Sequence, residues 1–340
     1  MSTSENTPGF PSDRIGARDV ERSEKFIAST NGTARIRTVM WKAKDAPRYR
    51  ATVQLVHGMA EHIDRYGEFA SYLASQGFVV VGHDHIGHGK SVVDEGELGC
   101  LPLKNGKTIL VDDVARVREE LLAPYKELPS FIFGHSMGSF VTRLYITRYP
   151  QGLSGAILCG TGSQPYALSL AGRSLARLLG HFRGDRYVSR ILHDLGAGAF
   201  SAAIEQPRTE FDWISVDPRV VDAYIADPLS GAKFSTGGYA TLTDMTAEVV
   251  TSRSASRVPA DLPLLFIAGA EDPVGSSGAG VDKAVALYRE GGVADVREIL
   301  YPGMRHEILN EPDRHRVFDD VLTWMVGIMT DAEGEGEEGR

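Results

Sequence analysis

The sequence predicts an α/β protein, a mostly parallel sheet flanked by helices and interrupted by one helical insertion. Three observations predict it. Short apolar runs alternate with amphipathic segments through most of the chain, as when parallel strands are joined by right-handed helical crossovers. The rhythm breaks between about residues 164 and 241 and then resumes. The pentapeptide Gly134-His135-Ser136-Met137-Gly138 follows an apolar run and precedes a helix-like segment, the setting of a serine held on a sharp strand-to-helix turn.

In chain order, residues 1–22 read as a polar, flexible leader with no apolar stretch of the kind a cleaved export signal needs. Strands are expected at about Glu24–Ser29 and Arg35–Lys42, around the turn signal Asn31-Gly32, and then at Thr52–Val56. Tyr66, Phe69, Ala70 and Leu73 have the spacing of one buried helix face, and Phe78–Val81 is a continuous apolar run, as in a strand covered on both faces. Leu110, Val114, Val117 and Leu121 mark another helix; the strand before Gly134, its helix to Tyr149, and the strand Gly155–Leu158 follow. The insertion is rich in Leu and aromatics without a clear strand. After it come the strand Pro263–Ile267, a helix with Val281, Ala284, Val285 and Tyr288 on one face, the strand Val296–Leu300, and a last helix from about Pro312 to Met329. The implied parts are a core of residues 23–163 and 242–330, a helical cap at 164–241, and an acidic, disordered tail at 331–340.

The chain of 340 residues is 42% hydrophobic and 24% charged, ordinary for soluble globular material. No apolar run is long enough for a transmembrane helix. A net charge of −9 argues against nucleic acid as a partner and against electrostatic capture by anionic membranes. Two cysteines, Cys100 and Cys159, fit a reducing compartment, so a cytoplasmic location is expected, with peripheral membrane contact left open.

In a chain with 37 glycines the pentapeptide alone proves little. Acyl transfer by serine also needs a base, an acid to hold that base in one tautomer, and N–H donors for the oxyanion. Asp272 follows the strand Pro263–Ile267 directly and is the candidate acid; its neighbour Glu271 should face solvent. His306 follows the strand Val296–Leu300 and is the candidate base. Ser136, Asp272 and His306 thus lie past successive strand ends, in the order of the α/β-hydrolase arrangement, where ligands of such sheets bind. The N–H of Met137 and that of Met59, in the turn after Thr52–Val56, are the candidate oxyanion donors.

The segments His57-Gly58-Met59-Ala60-Glu61-His62-Ile63-Asp64-Arg65-Tyr66, His83-Asp84-His85-Ile86-Gly87-His88-Gly89-Lys90-Ser91, Gly134–Gly138, Gly269–Val274 and His306–Glu311 together resemble the monoacylglycerol lipase/lysophospholipase family of serine hydrolases. The resemblance implies an eight-stranded α/β-hydrolase core, a helical cap between the sixth and seventh strands, no cofactor, and a small lipid or ester substrate. It also implies that Glu61, Arg65 and His135 help to orient a glycerol head group. The chain departs from some relatives in carrying Leu309 where a further polar histidine stands, and in the bulk of Met59.

His83, Asp84, His85 and His88 could suggest a metal, but a serine triad needs none and no second acidic cluster lies near; no metal site is expected. Gly89-Lys90-Ser91 lacks the earlier glycine of a phosphate loop. The expected activity is hydrolysis of single-chain carboxylic esters, of monoacylglycerol or lysophospholipid type, through an acyl-enzyme. The alternatives are a short-chain carboxylesterase or an acyltransferase on the same triad, and, from another class, a silent small-ligand binder. Transient membrane or micelle contact would run through the cap. Acyl length, head group and oligomeric state are not set by the sequence.

Overall fold

A computed structural model describes residues 19–338. Eight strands form one sheet: β1 (Val20–Ala28), β2 (Arg35–Ala43), β3 (Ala51–Val56), β4 (Phe78–His83), β5 (Ser130–His135), β6 (Gly155–Cys159), β7 (Leu264–Gly269) and β8 (Val296–Tyr301). Their spatial order is β1-β2-β4-β3-β5-β6-β7-β8. The first two pair antiparallel as a hairpin, β2 meets β4 antiparallel, and all later pairs are parallel.

The core helices are α1 (Gly67–Ser75), α2 (Gly106–Leu122) and α3 (Met137–Arg148). Between β6 and β7 lie α4 (Tyr166–Arg183), α5 (Arg190–Leu195), α6 (Ala197–Ser201), α7 (Pro218–Ala226), α8 (Thr236–Val249) and α9 (Ser252–Ala255); α10 (Ala279–Glu290) and α11 (Arg314–Glu338) follow. Alternation along the strands divides the core in two. Val79 and Val81 of β4 and Leu264, Phe266 and Ala268 of β7 pack with α2, α3 and α10. Phe78, Val80, Leu265 and Ile267 face the other way, against α1 and α11. The central strands β3 to β7 are therefore buried on both faces, which explains their unbroken apolar runs. Cys159 is one of the buried residues of the second layer, and neither cysteine is in a disulfide. Among the described residues no helix is long and apolar enough to cross a membrane.

Three boundaries differ from the sequence expectation. Residues 1–18 of the leader lie outside the described residues, but Val20–Arg22 already belong to β1, because pairing with β2 runs from Val20↔Ala43 to Ala28↔Arg35. The cap was expected to end at residue 241, which falls inside the continuous helix α8, started by Ser235, whose side chain accepts from the Gly238 N–H. The tail at 331–340 was expected to be disordered; residues 339–340 lie outside the described residues, and α11 carries on to Glu338. Helix propagation adds one hydrogen bond per residue to a turn already nucleated by packing, and no proline follows Pro312 to stop it.

Buried Arg143 on α3 ties the cap's two connections to the core. Its guanidinium donates to Gly162 O (3.0 Å), just past β6, and to Val249 O (2.8 Å), at the end of α8.

Candidate active site

Register brings the candidate residues to one edge of the sheet. Val56 of β3 pairs with Gly134 of β5, His135 with Cys159, and Gly269 of β7 with Tyr301 of β8, so the turns after β3, β5, β7 and β8 are neighbours. Ser136 sits between β5 and α3 at φ 54, ψ −121, a region costly for a residue with a Cβ and held only where the surroundings enforce it. The enforcement is close packing of the two flanking glycines. A Cβ on Gly138 would stand 2.1 Å from Val56 O, and one on Gly134 2.4 Å from Gly138 O. The elbow expected from the pentapeptide is therefore present, with the start of a 12-residue helix behind the serine.

His306 Nδ1 donates to Asp272 Oδ2 at 2.9 Å, with both residues buried. The carboxylate fixes the tautomer: Nδ1 carries the proton and Nε2 keeps its lone pair. Asp272 is held in turn by the Val274 N–H on Oδ1 (2.9 Å), while Glu271 is exposed, as expected. The His306 ring lies between His135 (centroids 4.6 Å apart) and Trp213 of the cap (5.0 Å). Ser136 and His306 open on one cavity of about 450 Å³. No hydrogen bond joins them among the described residues; in sites without substrate such bonds are often long and tighten on binding.

Met59 and Met137 line the same cavity, and neither N–H is given to another acceptor among the described residues. The turn bearing Met59 is restrained at Gly58, whose N–H donates to Glu61 Oε1 (2.6 Å) and whose carbonyl accepts from His57 Nδ1 (2.8 Å). Gly58 has no room for a side chain: a Cβ would meet Glu61 Oε1 at 2.5 Å and Ser136 Cβ at 2.9 Å. His57 Nε2 accepts the His85 N–H at 3.0 Å, so its proton is on Nδ1. Burial, reinforced by neighbouring His88, holds His57 well below the usual histidine range, and it stays neutral.

The three head-group candidates form part of a buried network. Glu61 Oε1 also accepts from Tyr66 (2.8 Å) and pairs with His135 Nδ1 (3.1 Å). Burial would push the Glu61 carboxyl up, but the His135 hydrogen bond and charge, with Arg65 and Tyr66, hold it at about 2. Burial would push His135 down; the Glu61 carboxylate overrides this and raises it, so the pair is ionic. Arg65 pairs with Glu307, lies 3.7 Å from Glu61 Oε2, and stacks its guanidinium over Tyr224 at 4.8 Å. Glu61 and Arg65 thus meet in the protein interior. Glu61, Arg65, His135 and Glu307 line a small polar recess beside the main cavity, with Leu309 and Asn310.

Sequence reasoning missed Glu307, Trp213, Tyr224 and Ala60. Glu307 lay inside a quoted motif, yet its ion pair with a residue 242 positions away has no local signal. Trp213 and Tyr224 were visible only as aromatic content of the insertion. The histidines at 57, 83, 85 and 88 are packed together, with His57 and His85 centroids 4.3 Å apart, and no cluster able to hold a metal occurs among the described residues.

The family described as serine aminopeptidase, S33, matches residues 47–313. The chain is 30% identical over 315 residues to the monoacylglycerol lipase of Mycolicibacterium smegmatis, covering 90% of this chain and 97% of that one. It is 27% identical to the monoglyceride lipase of Rattus norvegicus, over 84% of each. Among solved structures, a thermostable carboxyl esterase from Bacillus coagulans in complex with glycerol superposes with a TM-score of 0.84 at 32% identity, over 91% of this chain and 99% of that one.

Proposed function

Because the chain belongs to the serine aminopeptidase S33 family and is a serine ester hydrolase, we propose that it cleaves single-chain carboxylic esters of monoacylglycerol or lysophospholipid type through an acyl-enzyme on Ser136. The observation that carries this reading is the His306–Asp272 pair, with His306 and the Ser136 elbow lining one mainly apolar cavity.

In this mechanism Ser136 Oγ attacks the ester carbonyl carbon as His306 Nε2 takes its proton. The carbonyl oxygen becomes an oxyanion between the N–H groups of Met59 and Met137. Collapse breaks the carbon–oxygen bond to the alcohol, which leaves with the proton from His306. Water then attacks the acyl-serine, again with His306 as base, and the carboxylic acid departs. Asp272 keeps Nδ1–H directed at itself and stabilises the imidazolium.

Two features support the substrate class. Leu168, Leu175, Leu192, Phe200, Phe234 and Leu242 line the cavity and suit one acyl chain. Glu61, His135 and Glu307 put a polar end on the same cavity beside His306, which suits a hydroxylated alcohol. The relatives' names, monoacylglycerol lipase and monoglyceride lipase, point the same way. Leu168, Leu178, Phe182, Ile191 and Leu195 leave apolar surface exposed on the cap, which supports transient contact with a membrane or micelle. Unpaired Cys100 and Cys159 are in keeping with a cytoplasmic enzyme.

The test is a rate profile of p-nitrophenyl esters from C2 to C18 with wild type and Ser136→Ala. The proposal expects rates that rise towards longer chains and a variant with neither turnover nor fluorophosphonate labelling. A maximum at C2 would assign a short-chain esterase, and an active Ser136→Ala enzyme would remove the triad.

A further inference from the structure

The turn that carries the Met59 N–H is held from the cap as well as from the core. The Tyr224 hydroxyl (2.8 Å) and the Gly231 N–H (2.9 Å) both donate to Ala60 O. Ala60 has φ 55, in the left-handed region that a Cβ disfavours. It stands between Met59 and Glu61, the residue whose carboxylate anchors Gly58. A left-handed alanine persists where its surroundings over-determine it, and on its carbonyl those surroundings are the two cap donors. Tyr224 is aimed by its own ring contacts, with Phe211 of the cap (5.1 Å) and with Arg65 above it. Burial and the Glu307 charge raise its pKa, so the hydroxyl remains a donor.

We propose that Tyr224 is a positioning residue for the oxyanion turn. With the Gly231 N–H it holds Ala60 left-handed, which sets the direction of the Glu61 side chain onto Gly58 and so of the Met59 N–H towards the carbonyl at Ser136. The oxyanion site is then complete only with the cap docked. The cap acts on chemistry as well as on substrate fit. This inference rests on the triad and oxyanion reading above.

Tyr224→Phe removes only the hydroxyl and keeps the ring contacts. Gly231→Ala is an independent second variant: its Cβ would sit in ordinary contact with Phe211 and Tyr224 (3.4 and 3.5 Å), but φ +75 strains an alanine and displaces the other donor. In the full chain each variant should lower kcat about tenfold, part of the 10²–10³ that loss of one oxyanion donor costs, with KM within twofold of wild type. Affinity for an alkyl boronic acid, which forms a tetrahedral adduct on the serine, should fall by the same factor, with the thermal midpoint little changed. Values of kcat and boronate affinity within twofold of wild type in both variants overturn the proposal. So does a rise in KM alone, which would make Tyr224 a substrate contact. If wild type fails to take the boronate or Ser136→Ala stays active, the triad reading itself has failed and this inference goes with it.

Discussion

Lowering the pH from 7 to 5 probes the packing behind the oxyanion turn, where His57, His83, His85 and His88 lie buried together. Burial depresses all four, and His83 is pushed down to about 3. A group with a depressed native pKa takes up its proton in the unfolded chain first. The stability it contributes is therefore present above the unfolded value of about 6.5 and is lost as pH falls. For His83, an unfolded value near 6.5 against a native one of about 3 gives a loss of roughly 2 kcal/mol between pH 7 and 5. Each of the other three that stays neutral adds a loss of the same sign. His135 opposes them: its native pKa is raised, so its contribution is full below the unfolded value and is lost as pH rises through the native one. The net loss is a large share of the roughly 5–15 kcal/mol that holds a domain folded. His83→Leu isolates one member. Neither ring nitrogen of His83 has a partner among the described residues, so the leucine removes an unsatisfied donor and acceptor and should cost little at pH 7. Urea unfolding at pH 5.0, 5.5, 6.0 and 7.0 should show the wild-type decline with acid reduced by roughly 1 kcal/mol per pH unit in the variant. The same slope in both proteins would refute the argument, because His83 would then titrate alike in the folded and unfolded chains.

Two further outcomes are expected from the site geometry. Asp272→Asn keeps the contact with His306 but no longer demands a donor at Nδ1, so kcat should fall by about 10⁴ with the fold intact by circular dichroism. A loss below tenfold would exclude Asp272 as the orienting acid. Gly58→Ala places a Cβ 2.5 Å from Glu61 Oε1 and 2.9 Å from Ser136 Cβ, and the displaced turn should cost about 10²–10³ in kcat. Unchanged kcat would show that the Met59 N–H takes no part in the reaction.

Much of the architecture was legible in the chain because strand burial and helix periodicity are local patterns. The alternation of apolar runs with spaced faces such as Val281, Ala284, Val285 and Tyr288 matches α10 and its flanking strands closely. Element ends were less legible. The start of β1 depends on pairing with β2, and α11 runs on to Glu338 through a polar stretch, so neither limit is written in its own residues.

At the site, the sequence by itself determined the elbow, since the flanking glycines at 134 and 138 and the strand-to-helix change are contiguous. It also determined the order in which Asp272 and His306 follow strand ends, because each lies directly after an apolar run. Only the tertiary structure decided what the polar residues between them do. Glu61 was a candidate for touching substrate, yet its Oε1 accepts from Gly58, Tyr66 and His135 inside the protein. Ala60 and Tyr224, 164 residues apart, meet through one hydrogen bond. Such contacts are made by folding an irregular cap back over the sheet, and no periodicity encodes them: a loop's partners are set by where the chain returns in space, and that is settled by the packing of the whole molecule.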